Sequence, residues 1–289
     1  MSASVLTSCI LYSDACILLP MPLINLHSHS NFSDGTLSPA ELAGAASKAR
    51  ITFFSLTDHD ASLGWEELEP CLKKLAINYI YGIELSASLH DNLHILGYGL
   101  DLKDPGFLAA LAQFRSKRIE RIKKIIALLK TQGFDISFEE LNTVIDHTYG
   151  RPHVADLLKN RGFIKTRQKA FEKYIAYGKP AYVPPCGPGI EEAIKTIKAA
   201  GGVSVLAHPG VIYNIMDLGG WKDMGLDGIE AFYPAHSNAV IREFLELAKK
   251  YGLLVTAGTD FHGPGSGREE MAGFEYQEEF FGPIRKRFL

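Results

Sequence analysis

The sequence predicts an α/β protein, a parallel barrel interrupted by a small helical subdomain. From residue 23 onward, short apolar runs alternate with amphipathic stretches, a pattern typical of βα units. Between residues 101 and 180 this alternation stops and the chain becomes charged and helical in pattern. At 289 residues the chain can form one large barrel or two ordinary domains. We divide it into an N-terminal extension (1–22), a first barrel part (23–100), the helical insertion (101–180) and a second barrel part (181–289).

The predicted strands and helices follow one another as expected for βα units. In the first barrel part the strands are residues 23–26, 52–57, 79–83 and 94–98. Ser38, Pro39 and Glu41 have the form of a helix start, with a capping serine, a proline in the first turn and a glutamate that can reach back to the cap. The second barrel part has strands at 203–207, 228–232 and 253–257, separated by helices at 190–200 and 238–251.

The insertion carries two stripes of side chains at helical spacing. The apolar stripe predicts a helix with one buried face. Its members are Leu108, Leu111, Ile119, Ile122, Ile126 and Leu129. The basic stripe of Lys117, Arg121 and Lys124 could follow a nucleic-acid backbone, but a solvated helix face is the preferred interpretation.

Composition narrows the possible partners and the compartment. The net charge of -3 gives no global field that would attract nucleic acid or a membrane. The cysteines show no CxxC spacing, which suits a reducing compartment and makes them poor metal ligands. The first twenty residues are apolar, but no basic residue opens them and Asp14 interrupts them, so they are too short and broken to span a bilayer. We interpret them as an upstream extension or a misplaced start before Met21, and expect a cytoplasmic protein without membrane contact.

Histidines and carboxylates recur where the predicted strands end. His27 and His29 follow the first strand, and their spacing turns both imidazoles to one side of an extended chain. Asp260 and His262 repeat this arrangement after the last strand. In parallel barrels the carboxyl ends of the strands are where sites assemble. The candidate ligands are His27, His29, Asp34, His59, Glu84, His94, His208, Asp260 and His262.

Taken together, the nine candidate ligands indicate a metal site more strongly than any one of them does alone. A lone histidine is more often structural, and this is our interpretation of His90, His147 and His236. It fails for the group, because six of the ten histidines and three carboxylates occupy equivalent places. Imidazole and carboxylate without thiolate favour catalytic Mn, Fe or Zn over a closed structural zinc site. The sequence therefore predicts a multinuclear catalytic metal site.

Several motifs resemble those of the PHP (polymerase and histidinol phosphatase) phosphoesterases. These are HSHSNFSDG from residue 27, SLTDHD from 55, GIELSA from 82, HILGYG from 94, LAHPG from 206 and GTDFH from 258. In the insertion, GRPHVA from residue 150 and YGKPAYVP from 177 are also similar to family sequences. The likeness runs from about residue 23 to 262. It is greatest to the TrpH-like branch, which contains nucleoside 3′,5′-bisphosphate phosphatases and the exoribonuclease RNase AM.

The resemblance implies a distorted (β/α)7 barrel with two to three metal ions, Mn being expected and Fe or Zn possible alternatives. By motif, the ligands of the first ion are His27, His29, Glu84 and Asp260. Glu84 would bridge to a second ion held by His94 and His208. The ligands of the third are Asp34, His59 and His262. His208 is preferred to His153 as the seventh ligand, because His208 ends a predicted strand whereas His153 belongs to the insertion.

The predicted reaction is hydrolysis of a phosphate ester by water that divalent ions activate. The resemblance and the motifs assign catalytic roles to Asp260, His208 and Glu84, and leave open whether Asp260 or a histidine transfers the proton. Substrate phosphate is assigned to the insertion, where the candidates are Arg151, His153 and Lys179. A salt bridge within the helical subdomain is the alternative role for Arg151. The expected substrates are 3′,5′-nucleoside bisphosphates and short RNA degraded from its 5′ end.

Other functions remain open from the sequence. A histidinol-phosphate-type phosphatase is less favoured, because the insertion resembles the nucleotide-acting branch. An amidohydrolase is also considered, since barrels with HxH motifs cleave amides as well. A non-catalytic PHP module that stabilises a partner is disfavoured by the complete ligand set, and the sequence indicates no obligate protein partner.

Overall fold

The strands form two sheets that meet at the ends where the candidate ligands lie. The computed structural model describes residues 21–141 and 147–288, so the predicted extension at 1–20 lies outside the described residues. The first sheet has β1 (Leu23–Asn25), β2 (Ile51–Phe54), β3 (Asn78–Tyr79) and β9 (Phe274–Glu275), in the order β3-β2-β1-β9. Its first three strands are parallel, and β9 is antiparallel to β1.

The second sheet mixes parallel and antiparallel pairs. Its strands are β4 (Gly82–Ser86), β5 (His94–Tyr98), β6 (Val203–Leu206), β7 (Gly228–Phe232) and β8 (Leu254–Ala257), in that order. β5 is antiparallel to both neighbours, whereas β6, β7 and β8 run parallel. The sequence had no means of showing the direction of β5, because both directions bury the same apolar run.

The two sheets are joined by single bridges and share one core. Ser28 pairs with Phe261 and His59 with Glu84, and the Leu26 amide donates to the Ala257 carbonyl at 2.9 Å. Side chains of both sheets, among them Ile24, Leu96 and Val205, pack between them. The predicted α/β class is therefore confirmed, but no closed sheet forms among residues 21–141 and 147–288.

The predicted strand 79–83 is wrong, since the chain changes sheets within it. β3 ends at Tyr79, and β4 begins at Gly82 in the other sheet. Gly82 crosses so close to β2 that a Cβ there would lie 2.3 Å from Ser55 Oγ and 2.9 Å from the Leu56 carbonyl oxygen. The indole of Trp65 holds the crossing by donating to the carbonyls of Leu56 (3.1 Å) and Gly82 (3.0 Å).

Helices cover the outer faces of the sheets, and the predicted ones are confirmed. α1 (Pro39–Lys48) begins with the predicted capping box: Ser38 Oγ accepts from the Glu41 amide at 3.3 Å, and Glu41 Oε2 accepts from the Ser38 amide at 2.9 Å. The other outer helices are α2 (Gly64–Lys74), α6 (Ile190–Ala199), α7 (Leu218–Asp223), α8 (Asn238–Tyr251) and α9 (Glu278–Phe288). Within the described ranges, no helix has the length and apolar character needed to cross a membrane.

The segment predicted to be an insertion contains one long helix that contributes to two cores. α3 (Pro105–Thr131) packs Leu111 and Phe114 against the second sheet, and further on it packs Ile126 and Leu129 against α4 (Arg151–Asn160) and α5 (Arg167–Ala170). Leu108 was predicted to be buried, which is wrong, because its side chain is 39% exposed. One straight apolar stripe cannot supply both contacts, since α3 packs against the second sheet near its start and against α4 and α5 further along.

The crossing at Gly82 predicts a clear difference between two glycine substitutions. Gly82→Ala places a methyl group against backbone and should destabilise the fold by about 1–3 kcal/mol, as overpacking does. Gly44→Ala is the matched control, because nothing lies within 4 Å of its added Cβ in α1. That change should stabilise by about 0.5–1 kcal/mol. Urea unfolding of both variants measures this, and equal stability of Gly82→Ala and wild type would contradict the role of the crossing.

Candidate metal centre

The candidate ligands gather at one edge of the two sheets. His27 and His29 lie just beyond β1, His208 just beyond β6, and Asp260 just beyond β8. Glu84 departs from its predicted place, since it lies inside β4 rather than after a strand. His94 opens β5 opposite Ser86, and because β5 is antiparallel its first residue lies at the edge where the parallel strands end.

Backbone strain occurs at two of the candidate ligands, His208 and Asp260, and at Asp60 next to the ligand His59. Among the described residues, five non-glycine residues have a positive φ, and three of them are Asp60 (48°), His208 (29°) and Asp260 (53°). Such conformations cost free energy and persist only where the surrounding structure holds them. At Asp260 the backbone is held on both sides, because its amide donates to the His27 carbonyl at 3.0 Å and the His29 amide donates to the Phe261 carbonyl at 2.8 Å.

The carboxylate of Glu84 is the centre of the cluster. It is fully buried, and its two oxygens lie 2.9–3.4 Å from nitrogens of five histidines. Oε1 lies near three of these side chains, and Oε2 lies near the other two. The histidines near Oε1 are His27, His94 and His208. Those near Oε2 are His29 and His59.

Three overlapping groups of ligand atoms can each hold a metal ion. Within a group, all the ligand atoms lie within 4.8 Å of one another. The first group is His27, His29, Glu84 and Asp260. The second is His59, Glu84 and His94. The third is His29, Asp34, His59 and His262. His208 lies at the border of the second group, with Nε2 3.3 Å from Glu84 Oε1.

The hydrogen bonding of these side chains fits bound cations. Ten buried side-chain atoms of the described residues make no hydrogen bond, and eight of them belong to the predicted ligands. Buried polar atoms are rarely left in this way, because each costs its full desolvation free energy. The nitrogens and oxygens lie close together but are not aligned as donors and acceptors. Atoms that converge without pairing are what a set of metal ligands requires.

A second layer of polar groups orients the ligands, and sequence reasoning missed it. Glu230, buried inside β7, accepts from His27 Nδ1 at 3.0 Å and from the His208 amide at 2.8 Å. Asp58 accepts from the hydroxyls of Ser30 and Ser33 at 2.6 Å each, and Ser33 lies 3.3 Å from His29 Nδ1. A glutamate at an inward position of a buried strand was the available signal for Glu230. Such partners orient the ligand and raise its basicity.

The electrostatics of the cluster attract positive charge. Burial by itself lowers the pKa of His29, but the nearby carboxylates of Asp260 and Glu84 outweigh it and raise that pKa to about 9. Burial likewise opposes protonation of His27, yet Glu230, Asp260 and Glu84 hold its pKa well above the ordinary value. The carboxylates around these two imidazoles therefore favour positive charge in the cluster.

A cleft rich in arginine lies over the cluster. Its lining includes the candidate ligands Asp34, His59 and His94. The arginines that line it are Arg118, Arg121, Arg151 and Arg268. Arg268 forms an ion pair with Asp260 Oδ2, on the side of the carboxylate away from the histidines. The prediction that Arg121 belongs to a solvated helix face is wrong, because its side chain is largely buried and binds Asp91 at 2.6 Å.

Comparison with known proteins assigns the family. The PHP domain family model matches residues 25–178, more than half of the chain. The chain belongs to the PHP domain family. A 3′,5′-nucleoside bisphosphate phosphatase of Chromobacterium violaceum is 32% identical over 275 residues, 91% of this chain and 95% of the relative. A 5′-3′ exoribonuclease of Haemophilus influenzae is 32% identical over 250 residues, 83% of this chain and 90% of the relative. The resemblance and the branch drawn from the motifs are thus confirmed.

Solved structures agree with this family. A Bifidobacterium adolescentis protein described as a candidate metal-dependent phosphoesterase superposes with a TM-score of 0.83 at 28% identity, covering 93% of this chain and 98% of the other. A Chromobacterium violaceum protein described as an amidohydrolase with bound sulfate has a TM-score of 0.81 at 30% identity, covering 92% of this chain and 97% of the other.

Of the three residues predicted to bind substrate in this PHP domain, Arg151 lines the cleft, whereas His153 and Lys179 do not. Arg151 lines the cleft and binds Asp91 of the β4–β5 loop at 3.0 Å, so its ion pair joins the insertion to the second sheet. His153 uses Nδ1 to accept from the Gly150 amide at 3.0 Å, which closes the start of α4. Lys179 is exposed, and the cleft lining does not include it.

The three histidines interpreted as structural make hydrogen bonds with the backbone of the PHP domain. His236 donates from Nδ1 to the Ala231 carbonyl at 2.9 Å and accepts from the Gly210 amide at 3.1 Å. His147 lies 3.1 Å from the Asn31 carbonyl oxygen, and His90 accepts from the Asn92 amide at 3.2 Å. None of the three belongs to a metal-ligand group among the described residues.

The position of Glu230 predicts an effect on metal affinity. Glu230→Gln keeps the shape but weakens the support of His27, so the affinity for Mn²⁺ should fall by about 10- to 100-fold. Calorimetric titration of metal-free protein measures the change. Glu246→Gln is the control, because it removes the same negative charge from an exposed position on α8. This variant should bind Mn²⁺ as wild type does. Unaltered affinity in Glu230→Gln would show that Glu230 serves only the fold.

The raised pKa of His29 predicts that metal binding releases protons. With a pKa of about 9, the imidazole is protonated near neutral pH, whereas a ligand must be neutral. The affinity should therefore rise with pH, by up to about tenfold per unit for each proton released, until the pH passes that pKa. Titrations in buffers of different ionisation enthalpy count the protons. Binding near neutral pH without proton release would contradict this charge state.

Proposed function

We propose that this PHP domain is a metal-dependent phosphoesterase that hydrolyses 3′,5′-nucleoside bisphosphates and short RNA from its 5′ end. The observation that carries the proposal is the position of the Glu84-centred cluster beneath an arginine-lined cleft. A substrate with two phosphate groups can place one at the cluster and the other among the arginines. The relatives named as a 3′,5′-nucleoside bisphosphate phosphatase and as a 5′-3′ exoribonuclease support this choice of substrates.

The three groups of ligand atoms would hold two to three divalent ions, Mn²⁺ being the expected one. His27, His29, Glu84 and Asp260 would form the first site. Glu84 would extend to a second site with His94 and His208, near His59. The ligands of the third would be Asp34, His59 and His262. When bound, such ions lower the pKa of water and neutralise phosphoryl charge.

The protein groups around Asp260 keep it in the role of a ligand. Its Oδ1 lies 3.3 Å from His27 Nε2 and 3.2 Å from His29 Nε2, while Arg268 and the Tyr233 hydroxyl (3.5 Å) contact Oδ2. Although burial opposes ionisation, Arg268 and the histidines hold the pKa of Asp260 well below its usual range. A permanently ionised carboxylate is a weak base, so we assign proton transfer to a histidine and not to Asp260.

The phosphate that is not attacked would lie at Arg121 and Arg151. These two guanidinium groups share one counter-ion, Asp91, at 2.6 and 3.0 Å, so the trio keeps one net positive charge. Arginine binds phosphate through paired donors and suits this role.

The same proposal includes the finer points of architecture. We propose that the two bridged sheets are an open, distorted form of a (β/α)7 barrel, and that residues 101–180 form the inserted subdomain. The thiols of Cys71 and Cys186 are free, which supports a reducing, cytoplasmic location.

Amide hydrolysis is the second candidate, because the superposing Chromobacterium violaceum structure is described as an amidohydrolase. A substrate screen with Mn²⁺ separates the two. It contains 3′-phosphoadenosine 5′-phosphate, 5′-phosphorylated oligoribonucleotides, histidinol phosphate and a dihydroorotate-type amide. We expect turnover of the first two. Turnover of the amide alone, or of histidinol phosphate alone, would overturn the proposal.

The proposed phosphate site predicts that Arg151→Ala distinguishes between substrates. For 3′-phosphoadenosine 5′-phosphate, kcat/KM should fall by about 10- to 100-fold, the scale of a lost charged hydrogen bond. Cleavage of an aryl phosphate should change far less, because it has no second phosphate. Arg161→Ala, which removes an exposed ion pair with Glu140 at the other end of α4, is the control. Equal losses on both substrates would place Arg151 at the reacting phosphate or in the fold.

A further inference from the structure

Two tyrosines next to the cleft have no part in the chemistry described so far. Tyr177 is 82% exposed, more than any other large hydrophobic side chain among the described residues. Its ring lies 5.4 Å from that of Tyr182, in an edge-to-face arrangement. An aromatic ring that is supported from behind and open in front is a ready surface for another flat ring.

The backbone on both sides of this pair contacts the arginines that line the cleft. The Arg151 guanidinium, which binds Asp91, also reaches the Ile175 carbonyl at 3.5 Å, two residues before Tyr177. On the other side, Arg121 donates to the carbonyl of Val183, the residue after Tyr182, at 2.7 and 3.0 Å. Burial and the Asp91 carboxylate both raise the pKa of Tyr182, so its hydroxyl stays protonated beside the carboxylate shared by the two arginines.

We propose that Tyr177, supported by Tyr182, stacks against the nucleobase of the nucleotide whose unattacked phosphate lies at Arg121 and Arg151. This site rests on the proposed function and adds to it a contact with the base. In a substrate cleaved at its 3′ phosphorus, the 5′-phosphate and the first base belong to the same nucleotide. Once that phosphate is at the arginines, its own base is the flat group within reach of the tyrosine pair.

The chemistry of the pair also defines the kind of recognition. A tyrosine face stacks on every base, and such stacking stabilises single-stranded nucleic acids with little sequence preference. Tyr177 offers one open face and only a phenolic hydroxyl as a polar group. The site would therefore accept all four bases, and purines, which have the larger ring area, better than pyrimidines.

The test compares two substrates that differ only in the base. These are 2′-deoxyadenosine 3′,5′-bisphosphate and the abasic 1,2-dideoxyribose 3,5-bisphosphate. Tyr177→Leu keeps an apolar side chain but removes the aromatic face, and it should lower kcat/KM for the nucleotide by about 5- to 100-fold, the range of one lost base stack. The abasic substrate should change by less than about twofold, and Tyr177→Trp should keep the preference for the nucleotide.

Phe163→Leu is the matched control, because it removes an exposed aromatic ring of the same insertion. Phe163 follows the end of α4 opposite to Arg151 and packs against Phe134 at 5.3 Å. Both substrates should be unaffected by it. Equal losses on the two substrates in Tyr177→Leu, or no loss on either, would overturn the stacking site.

A binding measurement separates this inference from the proposed function. Calorimetry should show that wild type binds AMP more tightly than ribose 5-phosphate and that Tyr177→Leu loses this difference. If wild type hydrolyses neither bisphosphate but shows the difference, the proposed function fails and the stacking site stands. If it hydrolyses both and binds AMP no better than ribose 5-phosphate, the stacking site fails and the proposed function stands.

Discussion

The structure depends on the carboxylate of Glu84, a fully buried charge surrounded by five histidines. Removing an ionised carboxylate from water costs several kcal/mol, so it persists only where positive charge compensates it. Burial by itself raises the pKa of Glu84, but the histidines outweigh this and hold it well below the usual range. Protons or metal ions supply that charge, and the same residue thus joins the stability of the strand ends to the binding of cations.

The way the chain crosses between sheets makes this arrangement possible. β4 follows β3 after two residues but belongs to the second sheet, and Gly82 lets the backbone pass against Ser55 and Leu56. Glu84 therefore projects from within a strand into the space between the sheets. The antiparallel β5 then brings His94 opposite Ser86, beside Glu84. A parallel strand in that place would put its first residue at the other edge.

The insertion supplies a positive surface that faces this acidic and imidazole-rich centre. α3 carries Arg118 and Arg121, and α4 begins with Arg151. Asp60, after β2, and Asp91, in the β4–β5 loop, hold these side chains over the cluster. The ion pairs cross between two separately packed cores. In the proposed function, these arginines that tie the helical segment to the rest of the chain would also bind the substrate.

The sequence by itself determined the α/β class, most element positions and the ligand types, because apolar periodicity, capping residues and histidine spacing are local signals. The tertiary structure alone decided which sheet β4 joins, the direction of β5, the exposure of Leu108 and the burial of Arg121, since these depend on packing between distant segments. Glu230 shows the limit most clearly. In the sequence Glu230 is simply one residue of a predicted strand. Only the fold brings it to His27, 203 positions away along the chain. The spacing of residues along a chain indicates which helices and strands form. The partners of a buried charge depend on the topology that brings distant segments together.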